Sequence, residues 1–294
     1  CVTGPDIDSN FHAIDFLKRN QDKPFFLACG FVRPHVPLVA PTKYFDRYDR
    51  DAMIAPVVPA DDLDDVPEII RGYKNNETTY GITPELHKGL LEAYYASVSY
   101  MDAQVGRVLK CLDELGLKEN TIVVFTSDHG YMLGQHHKYQ KQHLFEEATR
   151  VPFIISVPWL KDQHGQATQQ ITELVDLFPS VAELAGLSPP QGLQGESLLP
   201  LLKDPKTSVW KKAFAFTISR SGGESIRTHD WRFTQWGFGA KGMELFDLKN
   251  DPGEFTNLAK DPQHMAQLKQ LKKTLEAKRA EAGYTEAKRK SQRW

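Results

Sequence analysis

Thr121-Ile-Val-Val-Phe-Thr-Ser-Asp-His-Gly130 is the stretch on which the fold turns. Ile122 to Phe125 is a short, uninterrupted apolar run rich in β-branched residues, the pattern of a strand covered on both faces. It delivers Asp128 and His129 at its carboxyl end, where open α/β sheets place their ligands. Gly130 follows at once, and a residue without Cβ lets another backbone approach closely. The loop beyond carries Gly134, His136, His137, Lys138, Lys141 and His143. A carboxylate beside an imidazole, then a cationic loop, reads as metal and anion chemistry. Taken alone, the pair is better described by a capping Asp and a structural His. A second polar loop changes that balance.

That loop is Phe31-Val-Arg-Pro-His-Val-Pro-Leu-Val-Ala-Pro41, leaving another apolar run, Phe25–Gly30. Three prolines fix φ and remove donors, so Arg33 and His35 are expected on a stiff, non-repeating segment. In a parallel sheet the loops after both runs open on the same edge.

Working outward, Asp8 and Ser9 offer N-caps for an early helix through Ile14, Phe16 and Leu17. Residues 42–83 are polar and rich in Pro and Asp, and predict a surface excursion with little regular structure. From Pro84 to Leu115 apolar residues recur at three- and four-residue steps, from Leu86 and Leu90 to Leu109 and Leu112, and Gly116 stands where a helix ends. Strand, helix and strand therefore alternate, and a mostly parallel sheet follows. Val151–Val157 is a further strand candidate, and Asp176–Leu187 a helix packed through Leu177, Val181 and Leu184. Beyond Leu202 the pattern shifts to shorter β-like segments, Lys212–Ser219, Ser225–Trp236 and Met243–Leu248, split by glycines and an Asp-Pro-Gly turn. A charged amphipathic helix over about 262–282 and a basic tail close the chain. These patterns predict an α/β core over 1–205 and a small C-terminal antiparallel β-sheet subdomain with a helix over 206–294.

Composition narrows the function. At 294 residues, 25% charged and a formal net charge of −2, the chain lacks the basic excess of a nucleic-acid-binding domain. Its apolar runs fall short of the roughly 20 residues of a membrane-spanning helix. Cys1, Cys29 and Cys111 show no disulfide framework and no metal-ligand spacing; Cys29 and Cys111 read as core residues. The chain opens at Cys1 rather than Met, with no targeting segment, so it is expected to be a piece of a longer or processed product.

Lys141 is a point charge suited to a tetrahedral oxyanion, or else a solvated loop lysine. His35 titrates near working pH and suits a proton donor to a leaving group. Arg33 suits an anion or a carboxylate partner. Of His136, His137 and His143, at least two are expected at the surface. Trp231 and Trp236, with the loops over 42–83 and 220–242, suit either sugar stacking or ordinary packing.

Ser127-Asp-His-Gly130 with Gly134, His136, Lys141 and Val151-Pro152 resembles the metal-binding segment of the sulfatases. So do Phe25-Phe-Leu-Ala with Arg33-Pro-His-Val-Pro37, Leu193-Gln-Gly-Glu-Ser-Leu-Leu199, and Glu244-Leu-Phe-Asp-Leu248 with Asp251-Pro-Gly-Glu254 and Asn257-Leu258. The ordered set covers nearly the whole chain. The resemblance implies an alkaline-phosphatase-like α/β core and hydrolysis of a sulfate monoester, with a sulfated small molecule or glycan as substrate. It implies Asp128 and His129 as metal ligands for Ca²⁺, Lys141 and His35 as catalytic, and Arg33 and His136 as substrate-binding. The imidazole ligand leaves Mn²⁺ or Zn²⁺ open. A secreted or periplasmic location is implied as well.

Two parts of the family's pattern are missing from these residues. The formylglycine nucleophile arises in a C/S-x-P-S-R motif, which does not occur here and which Cys1-Val-Thr-Gly-Pro5 does not fit. The paired aspartates of the other half of the metal shell are absent too, since Asp61-Asp62 and Asp64-Asp65 lie in the wrong place in the order. The chain is therefore expected to need a preceding sulfatase segment and to be inactive alone. Alternatives are a phosphonate or phosphodiester hydrolase of the same superfamily, or a non-catalytic homologue that binds sulfated glycans.

Overall fold

The computed structural model describes residues 5–285, and of residues 5–8 the backbone alone. Cys1 and the basic tail fall outside the described residues. In chain order the helices are α1 (Pro5–Asn20), α2 (Thr42–Phe45), α3 (Glu68–Arg71), α4 (Glu77–Tyr80), α5 (Pro84–Glu114), α6 (Glu146–Thr149), α7 (Leu177–Leu184), α8 (Leu199–Lys203) and α9 (Met265–Glu281). The strands are β1 (Val123–Thr126), β2 (Met132–Leu133), β3 (Tyr139–Gln140), β4 (Phe153–Ser156), β5 (Ala215–Ile218), β6 (Gly223–Arg227), β7 (Trp231–Trp236) and β8 (Met243–Asp247). Two compact units are each assembled from several segments. One comprises Cys1–Val57, Glu77–Val124 and Ile155–Trp159; the other comprises Val58–Asn76, Phe125–Ile154 and Leu160–Trp294. β1 and β4, which pair with each other, contribute residues to both.

In the first unit α5 is the spine. Thr83 caps it by accepting the Leu86 amide at 3.3 Å, and Pro84 occupies its first turn. Gly116, at φ +68°, ends it, with the Leu117 amide reaching back to the Leu112 carbonyl at 3.0 Å. Leu17 of α1 packs on Cys111 and Leu112, joined by Phe25, Leu27 and Val123. A second cluster sets Tyr44 against Ala96 and Tyr100. The buried face of α5 is not the apolar stripe alone. Leu86 and Leu109 lie at the surface, while Ser97 and Gln104 are buried. Asn10 explains part of this, donating to the Gln104 carbonyl at 2.7 Å inside the α1–α5 contact.

Several expectations are corrected in these elements. α1 begins at Pro5, so Asp8 and Ser9 lie within the helix rather than capping it. Phe25–Gly30 forms no ladder among the described residues. Phe25 and Leu27 are held by side-chain packing on α1 and α5, while Phe26 between them is 81% exposed. The apolar run recorded burial of alternate side chains, not strand pairing. Residues 42–83 do more than cross the surface, because Tyr44, Val66 and Ile70 enter hydrophobic cores. In so short an apolar pattern the periodic signal was too weak to register.

In the second unit β5–β8 form an antiparallel meander in chain order. Its register aligns Ile226, Phe233 and Leu245 across three strands, and that row packs on Leu268, Leu271 and Leu275 of α9. Each such side chain, fully removed from water, contributes about 2 kcal/mol. The opposite face is buried as well, but carries Arg227, Arg232, Thr234, Trp236, Glu244 and Phe246. Phe246 and Trp236 meet Met132, Leu144, Phe145 and Ala148 there. Trp236 also donates its Nε1–H to Glu244 at 2.7 Å, and Trp231 packs with the α9 cluster, so both tryptophans serve packing. No helix among the described residues is long and apolar enough to cross a membrane.

Candidate active site

β1 ends where the sequence placed its chemistry. Asp128 is exposed at the side chain and His129 half-buried, with His129 Nε2 and Asp128 Oδ2 3.7 Å apart. The Gly130 carbonyl lies 2.7 Å from His129 Nδ1 and can only accept, so Nδ1 carries the hydrogen. Nε2, on the Asp128 side, is then the ring nitrogen that could ligate a metal. Ser127 Oγ donates to the His129 carbonyl at 2.9 Å and ties the turn together.

Gly130 fixes this turn in space. Its amide donates to the Ala148 carbonyl at 2.9 Å. A Cβ there would sit 1.9 Å from the Glu147 carbonyl oxygen and 3.0 Å from that of Arg150. The close approach expected from the sequence is thus made, to α6. α6 is itself anchored on the meander, because Arg232 binds both Glu146 and Glu254, and Glu254 Oε2 accepts the Glu146 amide at 2.8 Å. Burial pushes the Glu254 carboxyl up against the opposing pull of Arg232.

Lys141 lies on the loop beyond, lining an open cleft of about 490 Å³ with Tyr73, Lys74, Asn75, Gln140 and Gln142. Gln140 and Gln142, at φ +65° and +76°, flank it in left-handed conformations that such residues rarely adopt. His136 and His137 share that conformation, at φ +52° and +51°. Clustered strain of this kind accompanies functional loops. Lys141 makes no ion pair among the described residues.

His136 departs from expectation. It is 1% exposed, its ring is stacked on Phe145 at 3.8 Å, and Nδ1 lies 3.1 Å from Asp62. Packed on all sides, it has no face to offer a substrate group. His143 is buried too, so only His137 of the three approaches the surface. Asp62 is buried with His136, and Asp65 accepts the Asn257 amide at 2.8 Å, so these aspartates brace loops.

Arg33 and His35 belong to the first unit. Arg33 donates to the His35 carbonyl at 3.0 Å. His35 is exposed, and its Nδ1–H is committed to the Val36 carbonyl at 2.7 Å, which leaves Nε2 as the atom able to move a proton. The sequence missed Glu147 and Glu254 as neighbours of His136, within 4.8 Å of it. The Asp251-Pro-Gly-Glu254 turn, with Glu254 at φ +57°, was the one local signal for the second.

An α/β scaffold with a strand-end carboxylate–imidazole pair and an appended antiparallel sheet is the alkaline-phosphatase-like fold. The sulfatase family model matches residues 10–187, and a model described as N-sulphoglucosamine sulphohydrolase, C-terminal, matches residues 134–281. The chain belongs to the sulfatase family. It is 36% identical over 282 residues to an arylsulfatase of Clostridium perfringens, covering 93% of this chain and 58% of that one. It is 31% identical over 361 residues to the iduronate 2-sulfatase of Mus musculus, covering 92% of this chain and 64% of that one. A crystal structure of a putative sulfatase from Bacteroides thetaiotaomicron superposes with a TM-score of 0.79 at 25% identity, covering 95% of this chain and 66% of that one. The chain thus spans less than two thirds of the length of these relatives.

Proposed function

We propose that the chain is the larger, C-terminal part of a sulfuric ester hydrolase acting on sulfate monoesters of a carbohydrate. The observation that carries this reading is the Asp128–His129 pair at the end of β1, oriented by Gly130 and followed by Lys141 in an open cleft. Residues 206–294 serve as a supporting subdomain, with a core of their own between the meander and α9.

Asp128 Oδ and His129 Nε2 would supply two of the donors of a divalent cation, Ca²⁺ or, given the imidazole, Mn²⁺ or Zn²⁺. Such a cation, when bound, polarises the ester's sulfuryl oxygens. Two donors make an incomplete shell, so the remaining ligands and the formylglycine nucleophile are assigned to sequence outside these residues. Lys141 Nζ donates to a sulfuryl oxygen and offsets its charge. The family resemblance gives His35 the role of proton donor to the departing alcohol oxygen, with Nε2 as the free ring nitrogen. Arg33, bonded to the His35 carbonyl, holds that loop, and the resemblance gives it a substrate-binding role. A location outside the cytoplasm follows from the same reading.

The test is hydrolysis of an aryl sulfate by the full-length gene product and by this chain. The full-length protein is expected to turn over, with kcat/KM reduced at least about 100-fold by Lys141→Ala. The isolated chain, without a nucleophile, is expected to show none. Turnover by the isolated chain, or full activity in Lys141→Ala, would refute the assignment.

A further inference from the structure

A second cluster of donors lies within the second unit, apart from Asp128 and His129. A ring nitrogen of His136, a Glu147 carboxylate oxygen and a Glu254 carboxylate oxygen all fall within 4.8 Å of one another. His136 is buried, and its Nδ1 faces both oxygens of Asp62, at 3.1 and 3.2 Å. An ionised carboxylate only accepts, so Nδ1 carries the hydrogen. Nε2, the other ring nitrogen, is left to face away from Asp62. Neither His136 Nε2 nor Glu147 Oε2 has a hydrogen-bond partner. A buried ring nitrogen and a buried carboxylate oxygen without partners, in a cluster with two carboxylates, call for a proton or a cation between them.

We propose that a divalent transition-metal cation, Zn²⁺ foremost, stands there. Three features favour a metal over a proton. The Asp62–His136 contact is the carboxylate–histidine arrangement that orients an imidazole for a metal, and the stacked Phe145 ring holds the plane. One imidazole and two carboxylates form a donor set that Zn²⁺ and Mn²⁺ accept readily. In the surrounding network Asp62, Glu146, Glu147, Glu244 and Glu254 outnumber Arg150, Arg227, Arg232 and Lys138. Bonds of about 2.0–2.2 Å to a shared Zn²⁺ would place the donors closer together than the outer limit observed, a change small side-chain rotations supply. The cation would clip together the turn after β2, the first turn of α6 and the turn holding Glu254. Its role is structural, since His136 and Glu254 are buried and Glu147 is only partly exposed, unlike Asp128.

The experiment strips the purified chain with chelator, adds Zn²⁺ alone, and reads stoichiometry by calorimetry and elemental analysis. Wild type is compared with Glu147→Gln, which keeps the shape and removes a ligand charge, and with Asp128→Asn/His129→Asn. The proposal expects one tight equivalent, an unfolding midpoint raised by the metal, and affinity reduced about 100-fold in Glu147→Gln. The double variant should retain that equivalent. X-ray absorption on the zinc-loaded double variant should show one imidazole among oxygen ligands, a readout that does not need Glu147→Gln to fold. No tight equivalent in wild type, or one lost with Asp128 and His129, would overturn the proposal. Those outcomes would leave a proton or a water between His136 and Glu147, and would not bear on the sulfatase reading.

Discussion

Substituting His143 with Gln should change how stability depends on pH. His143 is 5% exposed, edge-on to Tyr73 at 4.9 Å, and its Nε2 has no hydrogen-bond partner. Burial first, then the nearby Lys138 and His136, pull its pKa down from 6.5 to about 4. Between those values the unfolded chain binds a proton at this site and the folded chain does not. Stability therefore rises with pH across the window, is fully present above the unfolded value, and is lost as pH falls toward the folded one. At about 1.4 kcal/mol per pKa unit the full effect is about 3 kcal/mol. Glu244 acts in the opposite sense, since burial pushes its carboxyl from 4.5 up to about 7, and folding there favours low pH. Both proteins contain Glu244, so its contribution cancels in their difference. Urea unfolding at half-unit pH steps should show the wild-type advantage over His143→Gln growing by about 3 kcal/mol from pH 4 to pH 7. Parallel curves, offset by a constant, would refute the assignment of a neutral buried imidazole.

Three further outcomes follow from packing. Gly130→Ala drives a Cβ into the Glu147 carbonyl at 1.9 Å, and should cost about 3 kcal/mol in chemical unfolding as the turn is forced off α6. Lys212 is nearly buried and bonds Asp176 at 2.6 Å and Glu173 at 2.8 Å; burial lowers its pKa, but those carboxylates more than reverse it. Lys212→Met leaves both acids uncompensated and should lose about 3–5 kcal/mol, with the thermal midpoint as readout. Leu275→Ala, at the centre of the α9 contact and fully buried, should lose about 2–5 kcal/mol by the same measurement.

What the sequence disclosed follows from the range of the forces involved. α5, β1, β4, β5 and β8 were legible because each carries an apolar pattern along one continuous segment, whereas Ser225–Trp236, read as one segment, is divided between β6 and β7. The Asp128–His129 turn was legible because Gly130 marks a close approach locally, even though its partner, α6, lies well downstream. The burial of His136 was not legible. It depends on Asp62, 74 residues earlier, and on the Phe145 ring, and no spacing rule links the three. Phe25–Gly30 misled for a related reason, since an apolar run reports burial while pairing depends on a neighbour strand. The polar face of the meander was hidden because Arg232, Thr234 and Glu244 read as solvent residues until their partners are brought to them.

That face has a kinetic consequence. Arg232 holds Glu146 and Glu254 at once, Glu146 opens α6, and α6 carries the carbonyl that receives Gly130. The 128–150 segment therefore has no local route of opening that leaves the meander intact. Its amide hydrogens and those of β7 should exchange with solvent together, as one cooperative block with a common opening free energy. The Asp128–His129 turn, although it lies on a loop, would then keep its shape for as long as the sheet behind it stays closed.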